Sequence, residues 1–422
     1  MSREDVQQSR LKPTLGLFDA TAISVGAIIG AGIFVVTGIA AGYAGSALIV
    51  SMLIAAIISI FTALSFAELT AWQPKEGSIY EYTYQLISPF AGFLVGWMWI
   101  LSNTFAGAAV SLGFANYLTA LFPVLPANWI AAIICITFTA LNYFGIRQSA
   151  LMNNFLVVAK LLILAFFIIF GLLYVNLANF TPFVPLQTSV LYGACIIFFA
   201  YGGFARVAVV SEEVKDAKRN VPRAILLSLA ISTIVYILVG IVAVGLIGAS
   251  KLSEPNLPPL TQAISIIGNQ AAIYLISAGG LLATASVLLT SILGVSRMAY
   301  AMARRKDIPQ ALSKLHPKYN TPYYSIWIIG VLMTLLALFI DLTRVVTIST
   351  FALLFYYTMA NVSALQLKIQ KRLYSRIVPV LGTATCIALS IFILFASLQA
   401  WIIGVAGLVA GAICYMAKQK LS

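Results

Sequence analysis

Apolar stretches near the ~20 residues that a membrane-spanning helix needs recur twelve times along the chain. They cover approximately 17–41, 46–71, 90–121, 127–146, 151–175, 188–211, 224–248, 271–303, 322–340, 344–367, 377–397 and 399–417. Of the 422 residues 61% are hydrophobic and only 9% are charged, which excludes a soluble globular or disordered class. In lipid each backbone polar group must be satisfied within its own segment, so the runs are expected to be helices. The fold class is therefore an all-α membrane protein with 12 transmembrane helices. The first run is too long for a cleavable signal peptide, and no small-residue cleavage site precedes a soluble domain.

The net charge of +13 is spread over short loops rather than gathered on one folded face, so no nucleic-acid partner is expected. Placing the N-terminus inside puts Arg3, Arg10, Lys12, Lys75, Arg147, Lys215, Lys218, Arg219, Arg223, Arg304, Arg305, Lys306, Lys314, Lys318, Lys368, Lys371, Arg372, Arg376, Lys418 and Lys420 on the cytoplasmic side. The other side receives only Lys251 and Arg344, so both termini are expected in the cytoplasm. Residues 1–14 form a polar cytoplasmic tail. The loop 249–270 holds Pro255, Pro258 and Pro259 and is expected to carry a short helix at 260–268. Cys135, Cys195, Cys386 and Cys414 lie in apolar segments without a C-x-x-C spacing and read as free thiols. His316 stands in a basic loop with no ligand partner in sequence, so no metal site is expected.

Two segments carry glycines where a helix should be strongest. The first reads Gly26, Gly30 and Gly32 within seven positions, and each glycine costs a helix roughly 1 kcal/mol against alanine. The sixth carries Gly202-Gly203 mid-span, after Phe198 and Tyr201 and before Phe204. Gly26-x-x-x-Gly30 alone is also a helix-packing pattern. As a pair five segments apart, the clusters place two discontinuous helices in oppositely oriented halves, the arrangement in which transporters build a substrate site near the midplane. The second half of helix one, from about Ala31 to Phe34, offers backbone N–H groups and a positive dipole end to a carboxylate. Carbonyls from Phe198 to Tyr201 suit an ammonium. Together they describe the backbone of an α-amino acid.

Three basic residues stand at membrane depth. Lys160 lies ~14 Å into its segment at 1.5 Å per residue. It must face the interior or a cavity. Burial disfavours an ammonium's charge, which makes Lys160 a candidate proton carrier; a fixed cation holding backbone carbonyls is the alternative. Arg206 follows the second glycine cluster, with Asp19, Glu68, Glu212 and Glu213 as possible acidic partners. It is read as an ion pair or a gate residue. Arg297 is expected to snorkel or pair with loop groups. Glu68, near the end of the second segment, is read as a structural hydrogen-bonding group or a gate.

The chain resembles the amino acid–polyamine–organocation (APC) superfamily, and within it prokaryotic relatives of the cationic amino acid transporter family. The resemblance rests on Gly30 to Phe34, Glu68-Leu69, Tyr80 and Tyr82, Asn153-Asn154 with Lys160-Leu161, and Val175 to Phe183. It continues through Phe198 to Phe204, Glu212 to Pro222, and Ser296-Arg297 to Arg304. It implies a 5+5 inverted-repeat, LeuT-like core with discontinuous helices 1 and 6 and two extra C-terminal helices. The halves are then 15–175 and 188–367, with 377–417 added. It also implies that Ile28, Ala31 and Gly32 hold a carboxylate and that carbonyls of Phe198 and Tyr201 take an amino group, Phe198 doubling as an aromatic gate. Gly30, Gly202 and Phe204 belong to the same site. Lys160 matches the lysine that replaces a sodium ion, contacting the carbonyl of Gly26 and a hydroxyl on helix eight, Ser286 or otherwise Thr284. Shortly after Phe204, where the family usually carries an acidic residue, this chain has Arg206.

The expected function is a proton-coupled symporter of small neutral amino acids across the plasma membrane, working by alternating access. The apolar centres of helices one, three, six and eight hold no carboxylate to pair with a cationic side chain. Alternatives are an amino acid exchanger, a cationic amino acid transporter, or a membrane amino acid sensor with a transporter fold. No catalytic constellation appears, so no enzyme is expected. Protons are the expected coupling ion, sodium and other cofactors are not, and the expected partners are the substrate and the lipid bilayer, with no obligatory protein partner.

Overall fold

The computed structural model describes residues 13–30, 32–75, 77–122, 126–144, 149–254, 258–319, 321–368 and 372–421. Residues 1–12, Ala31, Arg147, Pro255 and Lys371, all named above, lie outside the described residues. Among the described residues sixteen α-helices follow in chain order. The first five are α1 (Leu17–Ile28), α2 (Thr37–Ala44), α3 (Leu48–Trp72), α4 (Ile79–Leu86) and α5 (Pro89–Leu121). Next come α6 (Ala127–Phe144), α7 (Ser149–Leu172), α8 (Thr188–Ala200), α9 (Arg206–Val209) and α10 (Ala217–Leu252). The last six are α11 (Pro259–Ser265), α12 (Gln270–Arg304), α13 (Tyr323–Phe339), α14 (Leu342–Gln366), α15 (Ile377–Ala396) and α16 (Leu398–Leu421). One isolated β-bridge joins Leu15 to Val214.

Among the described residues nine helical stretches are long and apolar enough to cross a membrane. Twelve segments were expected. The difference arises because the first stretch, Leu17–Trp72, covers two of them, and the sixth and ninth segments meet the shorter helices Thr188–Ala200 and Tyr323–Phe339. The short helix expected at 260–268 is α11, one residue earlier at its start and three at its end.

Local chemistry sets several helix starts. Ser88 accepts a hydrogen bond from the Ala91 amide at 3.1 Å, with Pro89 in the first turn of α5. Asn269 caps α12 through the Ala272 amide and Asp341 caps α14 through the Arg344 amide, each at 3.0 Å. Packing then follows side-chain size and polarity. On α7, Phe155, Leu162 and Ile169 point outward at a seven-residue spacing, while Lys160, Leu164 and Phe167 are buried. The outward stripe has the apolar character of a lipid-facing surface; the inward face carries the charge. α5 is the central post, packed along α12 and α14, while α10 packs along α3 and α1. Cys135, Cys195 and Cys386 are buried free thiols and Cys414 is an exposed one.

A charged cluster closes the end of the bundle where α4 lies. Glu81 receives Lys75 Nζ at 3.1 Å and Arg305 Nε at 2.6 Å. Arg305 also lies over the Tyr84 ring at 4.3 Å. Tyr80 donates its hydroxyl to Asp307, which takes Lys418 Nζ at 2.5 Å. One network thus ties α4, the end of α12 and the end of α16. Burial pushes the Glu81 carboxyl up, but hydrogen bonds from Arg305 and Lys75 outweigh it and hold the group below its ordinary 4.5. A depressed carboxyl contributes stability above its unfolded value, and that contribution is lost as pH falls through the folded one. Glu81→Gln should therefore lower the thermal midpoint of the detergent-solubilised protein at pH 7. The gap to wild type should close as pH falls below the ordinary 4.5 and through the folded value; equal midpoints for the two proteins at pH 7 would show that the network does not stabilise the fold.

Candidate functional site

Helix one breaks where its glycines predicted. α1 ends at Ile28, and Ile29 turns extended at φ −79°, ψ 92°. The chain resumes at Gly32 in a π-turn, Gly32–Val36, before α2. The second cluster breaks likewise: α8 stops at Ala200, Tyr201 to Ala205 form turns, and α9 restarts at Arg206.

The two breaks pack directly on each other. A Cβ on Gly203 would stand 2.3 Å from the Ala27 carbonyl carbon, and one on Gly32 would stand 2.4 Å from the Ala200 Cβ. Glycine is required at both for this approach. Gly30 is likewise filled in, its absent Cβ 2.2 Å from Val287 on α12.

Carbonyls freed by the breaks are satisfied by tyrosines. Tyr236 of α10 donates its hydroxyl to Ile28 O at 2.6 Å and lies 3.2 Å from Ala200 O, so one side chain serves both breaks. Tyr117 of α5 donates to Phe34 O at 2.6 Å and Tyr357 of α14 to Gly202 O at 3.1 Å. Ser24 donates to Phe204 O at 3.2 Å. All three tyrosines are fully buried. They were not singled out in the sequence, although Tyr236 and Tyr357 stand mid-segment, where a hydroxyl must find a partner.

Among the described residues three cavities are stacked along α5. At the centre a cavity of about 30 Å³ lies against Ile28, Gly32, Gly202, Asn103 and Arg206. An outer one of about 830 Å³ meets α5 at Asn116, Tyr117 and Thr119. An inner one of about 290 Å³ meets it at Trp99. Trp99 and Thr119 are roughly 30 Å apart along the helix at 1.5 Å per residue. Inner here means the end of the bundle near Thr14.

Of the predicted site residues, Ile28, Gly32 and Gly202 line the central cavity; Gly30, Phe198, Tyr201 and Phe204 do not. The Phe198 ring packs edge-on against Tyr357 at 5.9 Å, so it does not stand as a gate over the cavity. Phe204 stacks on Tyr357 at 5.1 Å, and Tyr201 packs against Tyr236 at 5.2 Å. The Phe198 carbonyl receives the Tyr201 amide at 3.1 Å within the turn. Phe199 and Ala200 form the wall in their place.

Lys160 is fully buried and donates to Gly26 O at 2.9 Å and Ser286 Oγ at 3.0 Å. Gly26 permits the approach of α7, since a Cβ there would lie 2.9 Å from Asn153 Oδ1. Thr284, the other candidate, bonds its own helix at Gly280 O.

Arg206 is not in an ion pair among the described residues, contrary to the sequence expectation. Its guanidinium donates instead to Thr290 Oγ1 at 2.9 Å and Ser291 Oγ at 2.8 Å, with Val287 O at 3.5 Å. Neutral dipoles of α12 take the place of a carboxylate. Glu68 is not a cavity gate: it pairs with Arg372 at 3.5 Å and accepts the Leu373 amide at 3.1 Å. Asp19 receives Asn154 Nδ2 at 2.7 Å. Arg297 faces the inner cavity rather than snorkelling. His316 accepts the Lys318 amide at 3.2 Å and stacks on Tyr319.

A multi-pass membrane protein with two interlocked helix breaks around a central cavity is the class that these features define. The chain belongs to the amino acid permease family, whose sequence profile matches residues 15–416. The branched-chain amino acid permease BcaP of Bacillus subtilis is 33% identical over 382 residues, covering 86% of this chain and 82% of that one. The methylthioribose transporter of Bacillus subtilis is 33% identical over 378 residues, 85% and 82%. Cationic amino acid transporter 4 of Mus musculus is 31% identical over 393 residues, 87% of this chain and 62% of that one. The chain is a transporter of this family and not an enzyme.

Tyr236→Phe removes the donor shared by Ile28 O and Ala200 O while keeping the ring. Leaving buried carbonyls unsatisfied costs about 1–3 kcal/mol each. We expect a folded variant whose thermal midpoint in detergent falls clearly below wild type and whose substrate affinity drops. A variant matching wild type in both would show that the hydroxyl does not hold the breaks.

Proposed function

We propose that the chain is a proton-coupled symporter of small neutral amino acids in the plasma membrane. It works by alternating access on twelve spanning helices, with both termini cytoplasmic. Residues 15–175 and 188–367 form the two inverted five-helix repeats, and 377–417 the added pair. The observation that carries this reading is the bond from Lys160 Nζ to Gly26 O. Gly26 lies two residues before Ile28, a wall residue of the central cavity. A charge change at Lys160 therefore acts on the turn that borders the substrate.

The substrate carboxylate sits at the start of the second half of helix one, at Gly32, because the N–H groups at a helix start attract an anion. Its ammonium meets carbonyls where helix six unwinds; each carbonyl has a second lone pair besides the one already bonded. The cavity in this conformation has room for water only, so loading requires the breaks to move relative to the surrounding helices. The wall combines small and apolar residues such as Ala27, Ile28, Ala106 and Ala200 with the neutral polar Ser102, Asn103 and Ser349, and it contains the Arg206 cation and no carboxylate. Small uncharged side chains suit it; lysine and arginine do not. The names of the relatives span branched-chain, cationic and methylthioribose transport at similar identity, so the wall rather than overall similarity supports this substrate class.

One observation favours exchange as a second reading. Lys160 is fully buried and borders none of the three stacked cavities, as suits a cation that keeps its proton. Lys160→Ala in proteoliposomes separates the readings. Under symport, accumulation driven by an imposed proton gradient falls at least tenfold while counterflow continues. Accumulation equal to wild type, or wild-type uptake that ignores the gradient, would sink the symport reading. Competition of all twenty amino acids and methylthioribose against labelled alanine should show displacement by alanine-sized neutral amino acids and none by arginine.

A further inference from the structure

The inner cavity has a composition that the central site does not explain. One wall is apolar, with Ile23, Trp99, Val209 and Leu293. The other carries Arg206, Arg297, Asn153 and Glu213. Three of these polar side chains are at least nine-tenths buried: Asn153 is 3% exposed, and Arg206 and Arg297 are 9% each. Both amide atoms of Asn153 and the Nε atoms of Arg206 and Arg297 make no hydrogen bond among the described residues. Glu213 and the two arginines belong to no ion pair among the described residues.

Unsatisfied buried donors are costly, and unpaired buried charges more so. The residues that carry them line one space of about 290 Å³. An apolar pocket with a few convergent polar groups is the usual form of a small-molecule site. Burial raises the Glu213 carboxyl above its ordinary value, with the Arg297 charge pulling it down; a cation placed beside it would favour its charged form further. Two cations and one carboxylate around an apolar pocket match a zwitterion with an uncharged side chain. Inorganic phosphate or a fatty acid would use the arginines but not Glu213.

We propose that the inner cavity is a second amino acid site, with Arg206 and Arg297 on the ligand's carboxylate, Glu213 on its ammonium and Trp99 against its side chain. This rests on the reading that the chain carries neutral amino acids. Arg206 also lines the central cavity, so the two sites share one guanidinium. An amino acid leaving the breaks would be received there before release, and the same amino acid at high concentration on that side would fill the site and slow the next cycle.

The test is equilibrium binding of labelled L-alanine to the full chain in nanodiscs. Wild type should bind about two per protein. Arg297→Gln and Glu213→Gln, each outside the central cavity, should bind about one. Propionate and n-butylamine, each half of the zwitterion, should fail to displace the second alanine. Trp99→Phe checks the location, because quenching of tryptophan emission by alanine should disappear in it. A single wild-type site unchanged in both variants would overturn the inner site and leave the central reading standing. A single site lost in both variants would support the inner site and sink the central one. No alanine bound at all would also overturn the inner site.

Discussion

A helix broken inside a membrane must find partners for the backbone groups that it frees, because lipid offers none. Here the partners are hydroxyls on side chains of three neighbouring helices. Tyr236 is the most consequential, since it reaches Ile28 O and Ala200 O together. The breaks also interlock sterically, Gly203 on the Ala27–Ile28 backbone and Gly32 on Ala200. The two breaks are therefore one unit with a common donor and a common contact surface. Removing either glycine's freedom or the shared hydroxyl disturbs both halves of the chain at once.

The second dependence runs through α12. Ser286 takes Lys160, Thr290 and Ser291 take Arg206, and Val287 fills the space left by Gly30. Within six residues one helix face thus touches both buried cations and the first break. Neither cation has a carboxylate partner among the described residues; each is held by hydroxyl and carbonyl dipoles. Charge held by dipoles is less tightly fixed than charge in a bidentate ion pair, and it leaves room for a ligand anion or a proton to change the balance.

Much of this was legible in the chain. The apolar runs, the position of both breaks and the depth of Lys160 follow from hydropathy and glycine placement, because lipid punishes exceptions so heavily. The contacts of Lys160 with Gly26 and Ser286 came from the resemblance, and the geometry contains them. What failed was side-chain direction. Phe198 and Phe204 were placed at the cavity, yet both turn to Tyr357, a residue of α14 too distant along the chain for local sequence to bring into view. Arg206 was given an acidic partner because a buried charge normally needs one. Sequence does not reveal that two hydroxyls spaced to meet a guanidinium fork stand on α12.

These dependences constrain how the site opens. Tyr236 and the glycine contacts hold the two breaks to each other, so opening between them would strand two carbonyls and expose the backbone that Gly203 covers. Movement of the joined breaks against α12 breaks neither. It falls instead on Lys160 with Ser286, on Arg206 with Thr290 and Ser291, and on Gly30 against Val287. The first two are charge-assisted and the third is plain packing. Under the proposed symport the surface that slides is then the one at which both cations are held, so a proton or a substrate carboxylate arriving there would act where the resistance to motion lies.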